Sequence, residues 1–279
     1  MAGAAAANAG AKAAGDDRRW GLALRNQLNV FPAVFFRESE SRHGRSFALG
    51  YLASGIEPLL VALVLAILFS VLSRNAPYGR SLMLFLGTGV FPIYLFIHTS
   101  LRMRQSVGLG KRRVRYPLER PLDHVFVNAV LHLMTSSVMA VGFFGGLYLL
   151  GVPEALPEKP LVAFEALLTV FLLGLGMGLT NSVIVRILPI WDVFWPVVVR
   201  LALHFSGLFY VVAFLPPNVR GWFAYNPLLH GTNWFRHAFY PFYPDLVSNE
   251  NYVLMWAFSL FAFGLLLEAG TRNFLESRE

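Results

Sequence analysis

Residues 161–185 read LVAFEALLTVFLLGLGMGLTNSVIV, and Glu165 is the one charged residue in this run. A helix of this length spans about 37 Å, which exceeds the roughly 30 Å hydrocarbon core of a bilayer. Five further stretches have a similar length and apolar character, and together they occupy most of the chain. The sequence therefore predicts an all-α polytopic membrane protein with six transmembrane helices, at about 51–72, 81–101, 123–150, 161–185, 190–214 and 251–270.

Lysine and arginine are distributed unevenly between alternate connections. Seventeen lie in the N-terminal segment, the second-to-third and fourth-to-fifth connections and the C-terminal tail, whereas five lie in the other connections. Cytoplasmic loops of membrane proteins carry the excess of basic residues. We therefore expect a multi-pass protein with both termini in the cytoplasm.

The composition supports a membrane protein and excludes other classes. Hydrophobic residues make up 56% of the chain and charged residues 14%, well below the roughly 25% of soluble domains. The net charge of +7 comes from basic residues at the membrane edges, so we expect no binding of nucleic acid. The absence of cysteine excludes disulfides and thiolate metal sites.

Three regions follow each other along the chain. Residues 1–15 are rich in Ala and Gly and predict a disordered tail, residues 16–50 form a cytoplasmic interfacial segment, and residues 51–279 form the six-helix transmembrane domain. Apolar residues recur every three or four positions within the second region, which predicts an amphipathic helix in the membrane interface. A soluble helix packed on the membrane domain is the alternative. The recurring residues are Trp20, Leu24, Leu28, Phe31 and Phe35.

Polar residues inside the apolar stretches are candidates for function, because charge in hydrocarbon is costly. Arg200 and His204 are four residues apart, so they share a helix face and can line an aqueous path for an anionic group. Phe205 belongs to the aromatic residues of the fifth stretch, some of which can line a sugar path. Three structural alternatives remain open: an ion pair of Arg200 with Asp192 or Glu57, snorkelling of the Arg200 side chain to the interface, and an aromatic belt at the interface.

Two glycine pairs have the spacing of close helix contacts. Gly142 and Gly146 form one G-x-x-x-G pattern, and Gly174 and Gly178 form another. We expect both pairs to lie on helix packing faces.

The connection between residues 214 and 251 is too long for a turn and too aromatic for a solvated loop. We expect two short re-entrant helices between Trp222 and Tyr243 that dip into the outer leaflet, with a break at Asn226 and Pro227. A folded cap on the outer surface is the alternative. Of the residues that follow the break, Leu229, Trp234 and Phe235 are expected to face lipid or neighbouring helices, while Arg236 and His237 are expected to reach the outer headgroups or the exit mouth.

Catalytic and nucleotide-binding motifs are absent. The chain contains no H-E-x-x-H, no G-x-S-x-G and no G-x-x-x-x-G-K-[ST]. If the protein performs active transport, the energy comes from another polypeptide or from an ion gradient.

Three groups of residues resemble the membrane subunits of type 2 ABC exporters, in the family that exports capsular polysaccharide, O-antigen and polyol phosphate. The resemblance covers nearly the whole chain, and its most specific part is Asn-Pro-Leu with a following Arg. The chain departs from the family pattern at Asn233, where Glu is usual, and at His237, where an acidic residue is frequent. The groups are Phe35-Phe36-Arg37-Glu38 with Arg42, Leu49-Gly50-Tyr51-Leu52 and Glu57-Pro58; Tyr116-Pro117 with Arg120-Pro121-Leu122-Asp123; and Asn226-Pro227-Leu228-Leu229-His230 with Arg236, Pro241 and Tyr243.

The resemblance implies a half-transporter in the bacterial inner membrane. Two copies would form a channel for a lipid-linked polysaccharide, of the capsular kind in the closest family members. Two copies of a separate cytoplasmic ATPase would bind ATP and Mg²⁺, so the chain itself would bind no cofactor and perform no catalysis. Periplasmic and outer-membrane export components are further possible partners.

Two elements receive roles under this resemblance. The cytoplasmic turn after the second span would couple ATPase closure to the membrane helices, and it consists of Tyr116, Pro117, Leu118, Glu119 and Arg120. The short helices before the last span would form an exit gate, with Asn226, Pro227, Leu229, Trp234, Phe235 and Arg236 as its candidate residues.

Two other classes remain open on the residues alone. A membrane-embedded transferase acting on a lipid-linked substrate could use His98, Asp123, His132 or His230 as acid or base. A gradient-driven carrier could use Glu57, Asp192 and Arg200 as coupling groups.

The charge asymmetry gives a direct test of topology. We expect cysteines introduced at Arg115 and Glu279 to react with an impermeant reagent only from the cytoplasmic side, and cysteines at Lys159 and Arg220 only from outside. Labelling of sealed vesicles measures this. Reaction of position 159 from the cytoplasmic side would reject the six-span topology.

Overall fold

The computed structural model describes residues 47–113 and 121–276, together with Pro32 and Phe35, and these residues form helices and no strands. The helices are separated by short connections, two of which contain a 3₁₀ turn, at Pro153–Ala155 and Val212–Phe214. The all-α prediction is confirmed for this part of the chain. The helices are α1 Phe47–Val71, α2 Leu82–Arg113, α3 Pro121–Leu149, α4 Pro160–Ile187, α5 Trp191–Phe205, α6 Pro217–Phe223, α7 Pro227–His237 and α8 Glu250–Glu276.

The bundle is organised around α4, which packs chiefly against α8 on one side and α2 on another. A Cβ at Gly176 would lie 2.5 Å from the backbone nitrogen of Phe261 in α8. A Cβ at Gly174 would lie 2.9 Å from the carbonyl oxygen of Phe96 in α2, and one at Gly178 would approach the α2 backbone to 2.7 Å. The predicted packing role of Gly174 and Gly178 is therefore confirmed.

The other glycine pair behaves differently. A Cβ at Gly142 or Gly146 would meet no described atom within 4 Å, so the expectation of a close helix contact is wrong for this pair among the described residues. The neighbouring residues explain the difference, because Val138 and Val141 are exposed and place this face of α3 on the outside of the bundle.

The helices α2, α4 and α8 run in the same direction. Residues further along α4 meet residues further along its neighbours, since Gly176 lies beside Phe261 and Gly264 lies beside Leu179 and Thr180. Three parallel helices in one chain require returns between them. The chain returns through α3 and, between Ile187 and Glu250, through α5.

Four helices are long and apolar enough to cross a membrane among the described residues: Leu82–Arg104, Leu122–Leu149, Pro160–Ile187 and Glu250–Thr271. The described apolar part of α1 is the shorter Ile56–Val71. These helices correspond to five of the six predicted stretches, and the number of six spans stays a prediction.

The fifth stretch differs from the continuous helix expected over 190–214. The helix α5 has 15 residues and ends at Phe205, and a rise of about 22 Å follows from its length. Gly207 then adopts a positive φ of 74°, which a helix cannot contain, and the chain turns. The helix still runs along the bundle, because Asp192 in its first turn pairs with Arg104 in the C-terminal half of α2, whereas its last carbonyl accepts a hydrogen bond from Asn226 near the start of α7.

Ion pairs join helices at the end of the bundle where α2 and α4 finish. Arg104 of α2 pairs with Asp192 of α5, and Arg186 of α4 pairs with Glu268 of α8. Charged side chains at this level satisfy one another and avoid the cost of isolated charge near hydrocarbon.

The tight contact between α4 and α8 predicts a size limit at Gly176. Replacing Gly176 with Ala should separate the helices and lower the stability of the bundle by about 1–3 kcal/mol, because the obstructing atoms belong to backbone. Gly142→Ala is the matched control, since its Cβ meets open space. Thermal unfolding of both purified variants measures the difference. Equal unfolding temperatures for the two would contradict the packing derived from the structure.

Candidate functional site

The break before α7 has the local chemistry that the sequence indicates. Asn226 caps α7, since its side-chain oxygen accepts a hydrogen bond from the backbone N–H of Leu228 at 3.0 Å, and Pro227 occupies the first helical position. The amide Nδ2 of Asn226 donates to the carbonyl oxygen of Phe205 at 3.1 Å and to the hydroxyl of Ser206 at 3.0 Å. The capping residue of α7 therefore also holds the end of α5.

The helix α7 is inserted between larger helices. Its residues from Leu228 to Arg236 are all buried, and it contacts α2, α4 and α8. A Cβ at Gly231 would lie 2.4 Å from the side chain of Val170 in α4 and 3.8 Å from that of Val253 in α8, which places α7 level with the first turn of α8. Leu229, Trp234 and Phe235 pack against protein, and the role of this region as an exit gate stays a prediction.

Arg236 does not reach the headgroups, and its place at an exit mouth stays a prediction. Its side chain has no exposed surface and lies inside the bundle instead of reaching headgroups. Its guanidinium lies 4.1 Å from the centre of the Phe85 ring, and Nη1 donates to the carbonyl oxygen of Gly207 at 2.7 Å and to the Tyr243 hydroxyl at 3.1 Å. Nη2 donates to the carbonyl oxygen of Leu208 at 3.4 Å. Backbone carbonyls and an aromatic face thus replace the water that the cation has lost.

A carboxylate does not accompany this buried cation in the described part of the chain. The Tyr243 hydroxyl, which accepts from Arg236, donates in turn toward the amide oxygen of Asn233 at 3.4 Å. Asn233 is the position at which the chain departs from the Glu of the resembling family. A neutral amide therefore ends the hydrogen-bond chain that begins at the guanidinium.

The connection from α7 to α8 is held by Asp245. Its carboxylate accepts hydrogen bonds from His237 at 2.8 Å and from the backbone N–H groups of Val247 and Ser248 at 3.1 and 2.8 Å. Burial raises the pKa of Asp245, but these hydrogen bonds outweigh it and lower the pKa to about 2. His237 therefore holds this loop in place. Its contact with the headgroups stays a prediction.

The helix α5 carries its candidate residues on an open face. Val193, Val197 and Leu201 are 72%, 52% and 53% exposed, and Arg200 and His204 lie on the same stripe, which we call the α5 stripe. Phe205, at the end of the helix, is also half exposed and contacts Phe223 of α6 at 5.4 Å between ring centres. The opposite side of α5 buries Trp195 and Val199 against the bundle.

The structure removes the ion pairs proposed as the structural alternative for Arg200. Asp192 pairs with Arg104, and Glu57 lies 3.3 Å from His98. Within residues 56–104 and 122–271, Arg200 makes no ion pair. A free cation on an apolar stripe is thus left for another partner, and its role in a translocation path stays a prediction.

The residues named for acid or base chemistry do not converge. His98 and His132 approach each other, with ring centres 6.1 Å apart, but Asp123 lies nine residues before His132 on α3, about 13 Å along the helix axis. His230 accepts a hydrogen bond from the backbone N–H of Asn249 at 2.9 Å and bonds a backbone carbonyl through its other nitrogen, so it is structural. Among the described residues no three His, Asp or Glu side chains form a metal-binding group.

Two predicted elements lie outside the described residues. The coupling turn Tyr116–Arg120 falls in the gap between α2 and α3, and Trp20, Leu24, Leu28 and Phe31 precede the described part of the chain. Phe35 alone of the interfacial set is described, as a half-buried helical residue. Both elements stay predictions.

Comparison with known protein families decides the class of the chain. The family model described as ABC-2 type transporter matches residues 31–240. The chain belongs to the ABC-2 type transporter membrane family. The match includes α1 to α7 and therefore the α5 stripe, the cap at Asn226 and the buried Arg236.

Individual relatives of the family are similar over nearly their whole length. The capsule polysaccharide export inner-membrane protein CtrC of Neisseria meningitidis is 25% identical over 243 residues, which cover 86% of this chain and 90% of the relative. BexB of Haemophilus influenzae, with the same description, is 25% identical and covers 81% of this chain and 84% of the relative. The polysialic acid transport protein KpsM of Escherichia coli is 27% identical, with coverages of 84% and 90%.

Sequence reasoning missed two features of this region. The pairing of Glu268 with Arg186 was not expected, although a single acidic residue in the last apolar stretch signals such a pair. Phe85 was also missed as the ring beneath Arg236, because nothing in the sequence relates positions 85 and 236.

The burial of Arg236 predicts a specific requirement for a guanidinium. Arg236→Lys removes the planar group that stacks on Phe85 and leaves backbone carbonyls unsatisfied, so we expect a loss of about 2–4 kcal/mol in stability. Arg220→Lys is the control, because Arg220 also donates to two carbonyls, at 2.8 and 2.9 Å, but is partly exposed. Thermal unfolding in lipid nanodiscs compares the two. A loss as small as that of the control would show that the cation does not hold the fold.

Proposed function

We propose that this chain is the channel-forming membrane subunit of an ATP-driven exporter that moves a lipid-linked polysaccharide, of the capsular kind, out of the cytoplasm. The observation that carries the proposal is the match to the ABC-2 type transporter family over residues 31–240, with relatives that export capsule polysaccharide aligned over most of both chains. The inner membrane is the corresponding location.

The α5 stripe supports assembly of two copies. Arg200 has no ion pair among the described residues, and an arginine in that state on an apolar surface is costly against lipid but is tolerated where it faces water or protein. A second copy related by a two-fold axis can place Arg200 and His204 beside a shared aqueous path. The exposed residues Val193, Val197 and Leu201 would then pack at or near the interface between the copies.

A separate ATPase supplies the energy in this proposal. The chain has no phosphate-binding loop, and the predicted coupling turn at residues 116–120 directly follows α2. The ion pair between Arg104 and Asp192 joins α2 to the first turn of α5. Movement of the turn can therefore be transmitted through α2 and this ion pair to the α5 stripe.

The proposal is tested in cells that lack their own copy of this chain. We expect the chain to restore surface polysaccharide only together with a P-loop ATPase, and to copurify with that ATPase as a dimer of the membrane subunit. Export that needs no ATPase would favour a gradient-driven carrier and reject the proposal.

Arg200→Ala tests the path within the same assay. We expect a several-fold loss of surface polysaccharide with the dimer and the ATPase still copurifying, because the cation faces the path and holds no partner in the described bundle. Arg74→Ala is the matched control, since Arg74 is also exposed but lies at the end of α1, over the ring of Phe69. Normal export by an assembled Arg200→Ala protein would remove Arg200 from the path.

A further inference from the structure

Three connections meet at the end of the bundle where α2, α4 and α8 begin, and they enclose a cleft. The connections are residues 72–81, 150–159 and 238–249, and the cleft has a volume of about 520 Å³. Pockets for small ligands have volumes of about 300–1,000 Å³. Aromatic and charged side chains line this cleft together with aliphatic ones, and those used below are Tyr78, Arg80, Glu154, Glu158, Tyr240 and Phe242.

The walls of the cleft are held together by contacts between the connections. The Tyr78 hydroxyl donates to the carbonyl oxygen of Phe242 at 2.6 Å, and the ring of Tyr78 meets that of Tyr240 edge-on at 5.4 Å between centres. Arg80 lies 3.8 Å from the carboxylate of Glu154. A cleft built in this way is formed before any ligand arrives, which reduces the entropy lost on binding.

The aromatic side chains offer surfaces suited to a sugar. The side chain of Phe242 is 87% exposed, and its backbone carbonyl is held by the hydrogen bond from Tyr78. Its ring therefore presents an apolar face from a fixed position. The C–H face of a pyranose is apolar and can pack on such a ring while its hydroxyls point elsewhere. A single exposed Phe is common on protein surfaces and needs no explanation by itself. Here the exposed ring borders a cleft that also contains polar groups.

The polar groups of the cleft have unused hydrogen-bonding capacity. The Tyr240 hydroxyl and one carboxylate oxygen of Glu154, Oε2, are shielded from solvent and have no hydrogen-bond partner within the described residues. Glu154 as a residue is partly exposed, and its other oxygen, Oε1, lies 3.8 Å from the exposed Arg80, so part of the carboxylate lies at the cleft surface. Unsatisfied polar groups of this kind cost stability and gain a partner when hydroxyls enter.

The charges favour one chemical class of sugar. Glu154 and Glu158 are carboxylates that can accept hydrogen bonds from a ligand, whereas Arg80 is the one basic side chain among the described residues that line the cleft. The cleft has two carboxylates and one guanidinium, so it would repel a ligand that itself carries carboxylates. The cleft thus suits a neutral, hydroxyl-rich sugar better than a sialic acid unit.

We propose that this cleft binds a neutral sugar unit of the exported glycan, with Phe242 as the stacking surface and Glu154 and Glu158 as the hydroxyl partners. The proposal rests on the proposed function, and it adds a glycan contact on the face that the charge pattern assigns to the outside. A chain leaving the membrane domain would meet this contact after crossing the α5 stripe.

Binding is measured on the purified protein in lipid nanodiscs, because maltoside detergents carry a competing sugar. The probes are maltotriose, chitotriose and α2,8-linked trisialic acid, followed by saturation-transfer difference NMR. We expect one or both neutral probes to bind and trisialic acid to bind more weakly. Phe242→Ala and Glu154→Gln should each weaken binding of the neutral probe by about fivefold.

Two matched variants control for unspecific effects. Phe214→Ala removes another exposed ring, and Glu250→Gln neutralises another exposed carboxylate, but neither residue lines the cleft. Both should bind the neutral probe like the unmodified protein. Equal losses in these controls, or no binding of either neutral probe to the unmodified protein, would overturn the proposal.

Surface polysaccharide in cells separates this proposal from the proposed function. If the unmodified chain restores no surface polysaccharide, the proposed function fails whatever the NMR result. If export is restored but Phe242→Ala and Glu154→Gln bind the probe normally, only the glycan cleft is rejected. If these variants instead lose export together with a copurifying periplasmic protein, and the unmodified chain binds no probe, the cleft is a docking surface for that protein and the glycan proposal is overturned.

Discussion

The arrangement of the bundle depends on one buried cation. Arg236 has no exposed surface, so its guanidinium must find its partners inside the protein. The carbonyl oxygens of Gly207 and Leu208 can serve only because α5 has already ended and the turn leaves them outside a helix. The end of α5, the position of α7 and the ring of Phe85 in α2 are therefore fixed together.

The same constraint explains how α5 is attached. Its C-terminal end is held indirectly by Arg236 through the turn and directly by Asn226, whereas its N-terminal end is held by the pair of Asp192 with Arg104. Between these ends one side packs on the bundle and the α5 stripe stays open. A helix fixed at its two ends by polar contacts can shift when either contact moves. The contact at its N-terminal end involves Arg104 of α2, and the predicted coupling turn follows α2 in the chain.

Local chemistry made part of this structure predictable. Hydropathy located the long helices, and the Asn226-Pro227 pair predicted the break before α7, because an Asn cap and a Pro at the first position act within a few residues. Gly174 and Gly178 were recognised from their spacing. The same spacing failed at Gly142 and Gly146, since a pattern on one helix does not reveal whether another helix covers it. The end of α5 and the burial of Arg236 also depend on contacts between residues far apart in sequence.

The pairing of charges decides what remains for Arg200. From the sequence, Asp192 or Glu57 could form an ion pair with Arg200. An Arg200 paired in this way would need neither an aqueous path nor a second protein chain to accommodate its charge. The structure commits Asp192 to Arg104 and brings Glu57 beside His98. Each carboxylate already contacts a basic side chain of α2. If Asp192 turned to Arg200, the contact between α2 and α5 would break, and if Glu57 did so, the contact between α2 and α1 would break. Within the described residues, the pairs that hold the helices together thus leave the cation on the α5 stripe without a carboxylate, and water, the membrane interface or a second copy of the chain can accommodate it.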